Sequence, residues 1–399
     1  MEKKKIVLVT TAHLTSNPRL VKEAKSLLKA NFNVKIISLQ QLAYLKHFDK
    51  DIIKDLHQAD IKLINCDKST LRGKILNIKR LLRKIWISIN PLSYLTENVL
   101  FPEFKYILKK EKADLYIAHT IQALPIVQWA AKFNQSKFAF DAEDYHREES
   151  TDKRQNQSAK IIEDKYLVNA SYISAASPFI GKCYQENFPT KKVITLNNYF
   201  EKENKKIETN EDQKLIKLVW FSQTIGTNRG LAEFLLKLAN FNASEYEVHL
   251  RGSCSNETKA EILKDLSDEW RKKIFFYPQC SSYELNSWLQ KFDVGLALEN
   301  SVPNNRNLCI TNKIFQYLDA GLAIIATATI GQKWVMQQCP SAGFILDQDT
   351  DLMNLQNWQK DRKCLEFAKK AAVLAATHTF NWKFEQKKLI ETIKQIDLD

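Results

Sequence analysis

Short apolar runs alternate along the chain with longer stretches whose apolar positions recur every three or four residues. Lys5–Thr10, Val34–Leu39, Leu115–Ala118, Phe138–Asp141, Tyr172–Ala175 and Val193–Leu196 read as strands. Asn17–Ala30 reads as a helix, with Leu20, Ala24, Leu27 and Leu28 on one side, and Ile126–Phe133 as another. Strand–helix alternation at this spacing predicts a parallel sheet covered by helices on both faces.

The stretch Glu201–Lys214 holds a single apolar residue and reads as a linker. After it the alternation restarts. Strands are expected at Ile216–Phe221, Glu247–Arg251, Ile274–Tyr277, Val294–Leu298 and Ala323–Ala326. Helices are expected at Leu231–Ala239, Glu257–Leu266, Tyr283–Gln290 and Thr311–Leu318, with a helical tail from Lys363. The pattern predicts two α/β domains, 1–200 and 215–375, joined by the linker 201–214. A final helix, 376–399, is expected to cross back to the first domain. Ligands of such sheets bind outside the carboxyl ends of the strands, which places the expected site in a cleft between facing domains.

Composition narrows the chemistry. Glycine is scarce at 9 of 399 residues, and only Gly73 and Gly181 fall in the first 200. That half therefore contains neither a G-x-G-x-x-G nor a G-x-x-x-x-G-K phosphate loop. No apolar run approaches the ~20 residues of a membrane span, and Ile6–Val9 is too short for a signal sequence. The expected location is the cytoplasm. The seven cysteines are scattered without a C-x-x-C pair, as expected of buried reduced thiols.

Charge is lopsided. The net +13 lies wholly in residues 1–200, which hold 33 Lys/Arg and 20 Asp/Glu, against 26 of each in the remainder. A basic half meets something anionic: nucleic acid, a membrane surface or a phosphate-bearing substrate.

Several motifs then fit one family. Thr15–Glu23 (TSNPRLVKE) is similar to the first loop and helix of the family 4 glycosyltransferases. Asp114–His119 (DLYIAH) followed by Ala123-Leu-Pro125 resembles that family's D-x-x-x-x-H…A-L-P turn, and Phe140–His146 (FDAEDYH) its Y-D-x-H-E segment. Trp220–Gly226 with Arg229-Gly-Leu231 resembles the first strand and loop of its nucleotide domain. Phe292–Leu298 and Thr311–Leu322 (TNKIFQYLDAGL) resemble its donor-site region. The resemblance covers nearly the whole chain. It implies a GT-B fold, two Rossmann-like doubly wound domains, and a retaining transfer of a sugar from a nucleotide diphosphate to a glycan or lipid-linked acceptor.

The leaving group of such a reaction is a nucleoside diphosphate, so cations and helix N-termini are needed where its charge builds. Arg229, just before a predicted helix, and Lys313, near the start of another, are the candidate phosphate contacts. The resemblance adds Gln316 on a ribose or sugar hydroxyl and Gln223 where many members carry Arg. It also implies His119 and Glu143 as the catalytic pair. Asn17, Arg19, Asp144 and His146 are expected as acceptor or phosphate contacts. No protein nucleophile is assigned. Arg and Lys take a metal's role, so neither metal nor cofactor is expected. The chain departs from the family at its paired glutamates, which here read Leu308 and Gln316; Glu299 does not match their spacing.

Two other readings stay open: a catalytically weak GT-B-like subunit that binds a glycan or a partner, and a nucleotide-sugar epimerase of the same fold. A nucleic-acid partner would explain the charge but not these motifs. Finally, Leu71–Ile89 reads as a basic amphipathic helix, ended by Pro91. From Lys68 to Thr96 there are seven Lys/Arg and no acidic residue. Lys79, Arg80, Arg83 and Lys84 fall on one arc. Ile75, Ile78, Leu81, Leu82, Ile85, Trp86 and Ile89 fall opposite. Either this apolar side packs on the first sheet, or the helix meets the anionic inner face of a membrane.

Overall fold

A computed structural model describes residues 3–89, 101–201, 215–346 and 352–396. The chain forms two units, one of Met1–Asn197 with Phe384–Asp399 and one of Asn198–Lys383. Most of the stretch read as a linker, residues 202–214, lies outside the described residues.

The first unit is built on a seven-stranded parallel sheet of order β3-β2-β1-β4-β5-β6-β7. Its strands are β1 (Lys5–Thr10), β2 (Asn33–Gln40), β3 (Asp60–Asn65), β4 (Leu115–His119), β5 (Lys137–Ala142), β6 (Ile173–Ala175) and β7 (Val193–Thr195). Helix α1 (Pro18–Lys29) follows β1, α2 (Leu45–Asp55) follows β2, and α3 (Leu71–Ile89) follows β3. β1 and β4 are buried along almost their whole length, as a central parallel strand covered on both faces must be.

β3 is absent from the sequence reading, and the reason is its place in the sheet. It is an edge strand whose residues alternate between exposed and half-buried, so it carries no continuous apolar run. The edge strand β13 of the second sheet is also absent from that reading, although Phe344, Ile345 and Leu346 form a short apolar run.

The second unit has a six-stranded parallel sheet of order β10-β9-β8-β11-β12-β13. Its strands are β8 (Ile216–Thr224), β9 (Tyr246–Ser253), β10 (Ile274–Tyr277), β11 (Val294–Ala297), β12 (Ala323–Thr327) and β13 (Gly343–Leu346). The side-chain period of two feeds two separate apolar layers. Leu218, Trp220 and Ile325 pack in one; Val219, Ile324 and Ala326 pack in the other. Helix α4 (Leu231–Leu238) follows β8, and α5 (Asn312–Ala320) lies between β11 and β12.

In both sheets the strand order reverses beside the first strand of the unit: β1 against β4, and β8 against β11. Strand carboxyl ends at such a reversal leave a crevice for ligands. The closing helix α6 (Trp382–Lys394) carries Leu389 and Ile393 into the apolar cluster of the first unit, with Ile6, Leu8 and Leu27.

Candidate functional site

In the first unit the register aligns three strand ends. Thr10 pairs with His119 and His119 with Asp141. The Arg19 side chain, from the first turn of α1, reaches the same place. Its Nε and Nη2 donate to the two oxygens of Asp141 at 2.8 and 2.5 Å, and its Nη1 to the Leu196 carbonyl at 2.5 Å. This fork-on-carboxylate pairing is the strongest ion-pair geometry available to arginine. Burial alone would raise the Asp141 carboxyl, but Arg19 and His119 overcome it and hold it well below the usual range.

His119 is fully buried. Its Nε2 lies 2.8 Å from Glu23, and its Nδ1 lies 3.3 Å from Asp141 and 3.8 Å from Glu143. Burial opposes a charge on the ring, but the Glu23 carboxylate, with Asp141 and Glu143 beside it, drives its pKa well above 6.5. His119 is therefore an imidazolium held among three carboxylates. The sequence placed it against the sugar; here the ring has no surface to offer, because those carboxylates close over it. Glu143 is the partly exposed member of the group.

Asn17 and Arg19 also turn inward. Asn17 caps α1, accepting from the Leu20 N–H at 3.0 Å and donating to Thr10 at 3.3 Å. Both were expected as phosphate or acceptor contacts, and both are spent on the protein itself. The first loop is pinned further by His13. Its Nε2 accepts from the Gln41 and Leu42 N–H groups at 2.7 and 2.9 Å, so the ring proton sits on Nδ1, 2.8 Å from Asp49.

Asp144 is half-buried, and His146 enters a second network, with Nδ1 2.6 Å from Glu149. Burial works against the charged ring of His146, but the Glu149 bond lifts it to about 9. Alongside, Arg147 Nε donates to the buried Glu163 at 2.5 Å.

Glu23, His119 and Asp141 place ligand atoms within 4.8 Å of one another, as a metal site would. Both Asp141 oxygens already accept from Arg19, and the imidazole carries a proton. This donor set is an ion-pair network with its cations built in, and it does not fit a metal.

The second unit is organised differently. Gly230, at φ +74°, makes the left-handed turn that starts α4, a conformation that side-chain-bearing residues rarely adopt. This turn sets Arg229 just ahead of the helix. Arg229 Nη1 donates to Glu299 at 2.6 Å, and Arg306 Nη1 lies 3.7 Å from the other oxygen of the same carboxylate. Arg306 also donates to the Asn228 carbonyl at 2.9 Å, as does the Asn300 amide at 3.0 Å. Glu299 is buried at the end of β11. Its backbone N–H donates to the Thr327 hydroxyl, which donates back to the Glu299 carbonyl.

Lys313, on the first turn of α5, is 6% exposed, with its ammonium 5.2 Å from the centre of the Trp220 ring. It makes no hydrogen bond or ion pair among the described residues. Burial, then Arg229, then Arg306 lower its pKa, with Glu299 opposing, to about 7. It stands at the helix start, as expected, and is a nearly buried cation beside two arginines that share one carboxylate. Gln316 sits one turn further along α5, half-buried. Leu308 is buried, and Gln223 is exposed at the end of β8.

The chain matches no protein-family model and no curated protein sequence. Solved structures match it over nearly its full length. HepE from Anabaena, in complex with UDP-glucose, superposes with a TM-score of 0.71 at 11% identity, covering 98% of this chain and 100% of that one. The fold is GT-B. Sucrose-phosphate synthase from Thermosynechococcus elongatus gives a TM-score of 0.69 at 12% identity over 98% and 99% of the two chains. S. aureus TarM, in a complex that includes UDP, gives 0.69 at 10% identity over 98% and 100%. These likenesses place the two sheets in the GT-B architecture that the motifs implied.

Sequence reasoning missed Glu23, Asp141 and Arg306 as members of these clusters. Glu23 and Asp141 stood within quoted segments, TSNPRLVKE and FDAEDYH, and Arg306 in none. Only the strand register and the turn geometry show what they face.

Proposed function

We propose that the protein is a retaining GT-B glycosyltransferase using a nucleoside-diphosphate sugar, with a glycan or glycolipid as acceptor. One observation carries this reading. Arg229 and Arg306 share the single carboxylate of Glu299, and the nearly buried Lys313 ammonium beside them rests on the Trp220 ring with no hydrogen-bond or ion-pair partner among the described residues. Three cations around one carboxylate leave a local charge of about +2 when Lys313 is protonated, which a diphosphate matches. In this reading Lys313, Arg229 and Arg306 hold the two phosphates and stabilise the charge that builds as the glycosidic bond breaks. Gln316 serves a ribose or sugar hydroxyl, and Gln223 lines the donor site.

Glu143 is the group proposed to meet the acceptor hydroxyl, with His119, 3.8 Å away, as a positioning residue that fixes its carboxylate. Asp144 is proposed beside it. The cations replace a metal, so activity is expected to survive chelators. UDP accompanies HepE and TarM, which makes UDP the first nucleotide to try here.

A thermal-shift panel of nucleoside diphosphates and their sugars tests the reading. A ligand at 100 times its dissociation constant stabilises by about 2.7 kcal/mol. No shift with any of them refutes it. A second reading is favoured by Leu308, buried where the family carries an acidic group: a subunit that binds the nucleotide sugar without turning it over. Binding of UDP-glucose with no release of UDP in the presence of acceptor glycans supports that reading.

A further inference from the structure

Helix α3 exposes the side that a packed helix would bury. Leu71, Ile75, Ile78, Leu81 and Leu82 lie along one stripe at helical spacing and are 49% to 76% exposed. The remainder of the helix shows why. Gly73 is its buried position, where a Cβ would run into the Asp67 backbone. One turn on, the Asn77 amide donates to the Cys66 carbonyl at 2.7 Å. The helix is thus fastened by its smallest residue and one amide to the turn that follows β3, at the carboxyl end of the first sheet. Asp67 holds that turn, accepting from the Ser69 N–H at 2.9 Å and pairing with Lys46 at 2.6 Å. Through Lys46 the start of α2 is tied to the same turn, and just ahead of it Leu42 and Tyr44 are exposed too. From Leu71 to Leu82 the apolar side does not pack on the sheet; Arg83, Lys84, Trp86 and Ile89 of the expected pattern lie outside the described side chains.

An exposed apolar patch of this size marks an interaction surface, and charge identifies the partner. Lys74 and Lys79 are exposed on the same helix, Arg80 is half-exposed, and the helix contains no acidic residue. We infer that α3, with Leu42 and Tyr44, is a docking surface for an anionic lipid bilayer. The aliphatic stripe enters the interface between headgroups and acyl chains, and the bases pair with lipid phosphates. A second copy of the chain suits the surface poorly, because a symmetric contact would set these bases against their own kind. No helix among the described residues is long and apolar enough to cross a membrane, so the attachment is peripheral. The inference rests on the helix alone and stands whether or not the protein transfers a sugar.

The test is flotation of the full chain with vesicles of phosphatidylcholine alone and with about one third phosphatidylglycerol, at low and high salt. Two variants accompany it, Lys74→Gln/Lys79→Gln/Arg80→Gln and Ile78→Gln/Leu81→Gln/Leu82→Gln. All six side chains are exposed or half-exposed, so both variants should melt with the wild type, and circular dichroism checks this. The expected result is binding to anionic vesicles, at least about tenfold weaker in high salt and in the charge variant, and lost in the aliphatic variant. Absence of binding to anionic vesicles at low salt overturns the inference. So does equal, salt-indifferent binding to both vesicles. Dimerisation of the free protein that the aliphatic variant abolishes would assign the surface to a second copy, and would overturn it as well.

Discussion

The two units treat their buried cations in opposite ways. In the first, Arg19, His119 and the neighbouring Lys22 face Asp141, Glu23 and Glu143, so the cations are matched by carboxylates. In the second, Arg229 and Arg306 share Glu299 with Lys313 beside them, and the cations outnumber the carboxylate. The first cluster is closed: its charges are set against one another as ion pairs within the protein, and they tie three strand ends to α1. The second is open: Lys313 has no hydrogen bond or ion pair among the described residues, and an anion is the partner proposed for it. On the proposed function the same residue types serve scaffold in one place and recognition in the other, and the local charge balance tells which.

The largest effect that would break this comparison lies in the closed cluster. Arg19→Ala leaves Asp141 buried without its fork and should cost about 3–5 kcal/mol of stability. His119→Ala, which leaves Glu23 and Asp141 facing each other, should also destabilise strongly. Thermal or urea unfolding measures both. A melting temperature within a degree or two of wild type for both would show that the network is not holding the fold.

In the open cluster the expected effects invert. Arg229→Ala should weaken nucleoside-diphosphate binding by about 1.5–3 kcal/mol, as for hydrogen bonds to charged groups. Calorimetry reads this directly, and unchanged affinity would remove Arg229 from the site.

Acidity separates the clusters next. A bound diphosphate raises the pKa of Lys313 above its free value of about 7. Binding then takes up a proton above that pH. Affinity should be flat below about pH 7 and fall above it, by at most about tenfold per unit. The effect on stability runs the other way. The Lys313 pKa is depressed in the folded protein, so the unfolded chain binds more protons between about 7 and 10.5. Stability without ligand therefore gains from this group as pH rises through that window. An affinity independent of pH from 6 to 9 would show that Lys313 does not meet the phosphates.

The smallest effect is on Gln316. Gln316→Leu should weaken donor binding a few-fold through loss of one neutral hydrogen bond, about 1 kcal/mol. Gln316→Glu should be tolerated. Equal affinities for all three would place the ribose elsewhere.

Much of the fold could be read from the chain. The central strands are continuous apolar runs, and α3 begins and ends where its pattern does. The edge strand β3 escaped because much of it is solvated, which dilutes the apolar signal; β13 escaped although its Phe344-Ile345-Leu346 run is apolar. The candidate residues were legible as chemistry but not as environment. Arg19 and Arg229 are both arginines near the start of a helix after a first strand. Only the register that brings Asp141 to one, and the Gly230 turn that leaves the other beside Lys313, separates their roles.

The most direct test of the open cluster is calorimetric titration of UDP into the wild type and into Lys313→Met. Methionine keeps the apolar contact with Trp220 and removes the charge. One site on the wild type, weakened at least about tenfold in the variant with its melting temperature preserved, is the predicted result. Equal affinity in the two proteins, or no heat with UDP or any other nucleoside diphosphate on the wild type, would contradict it.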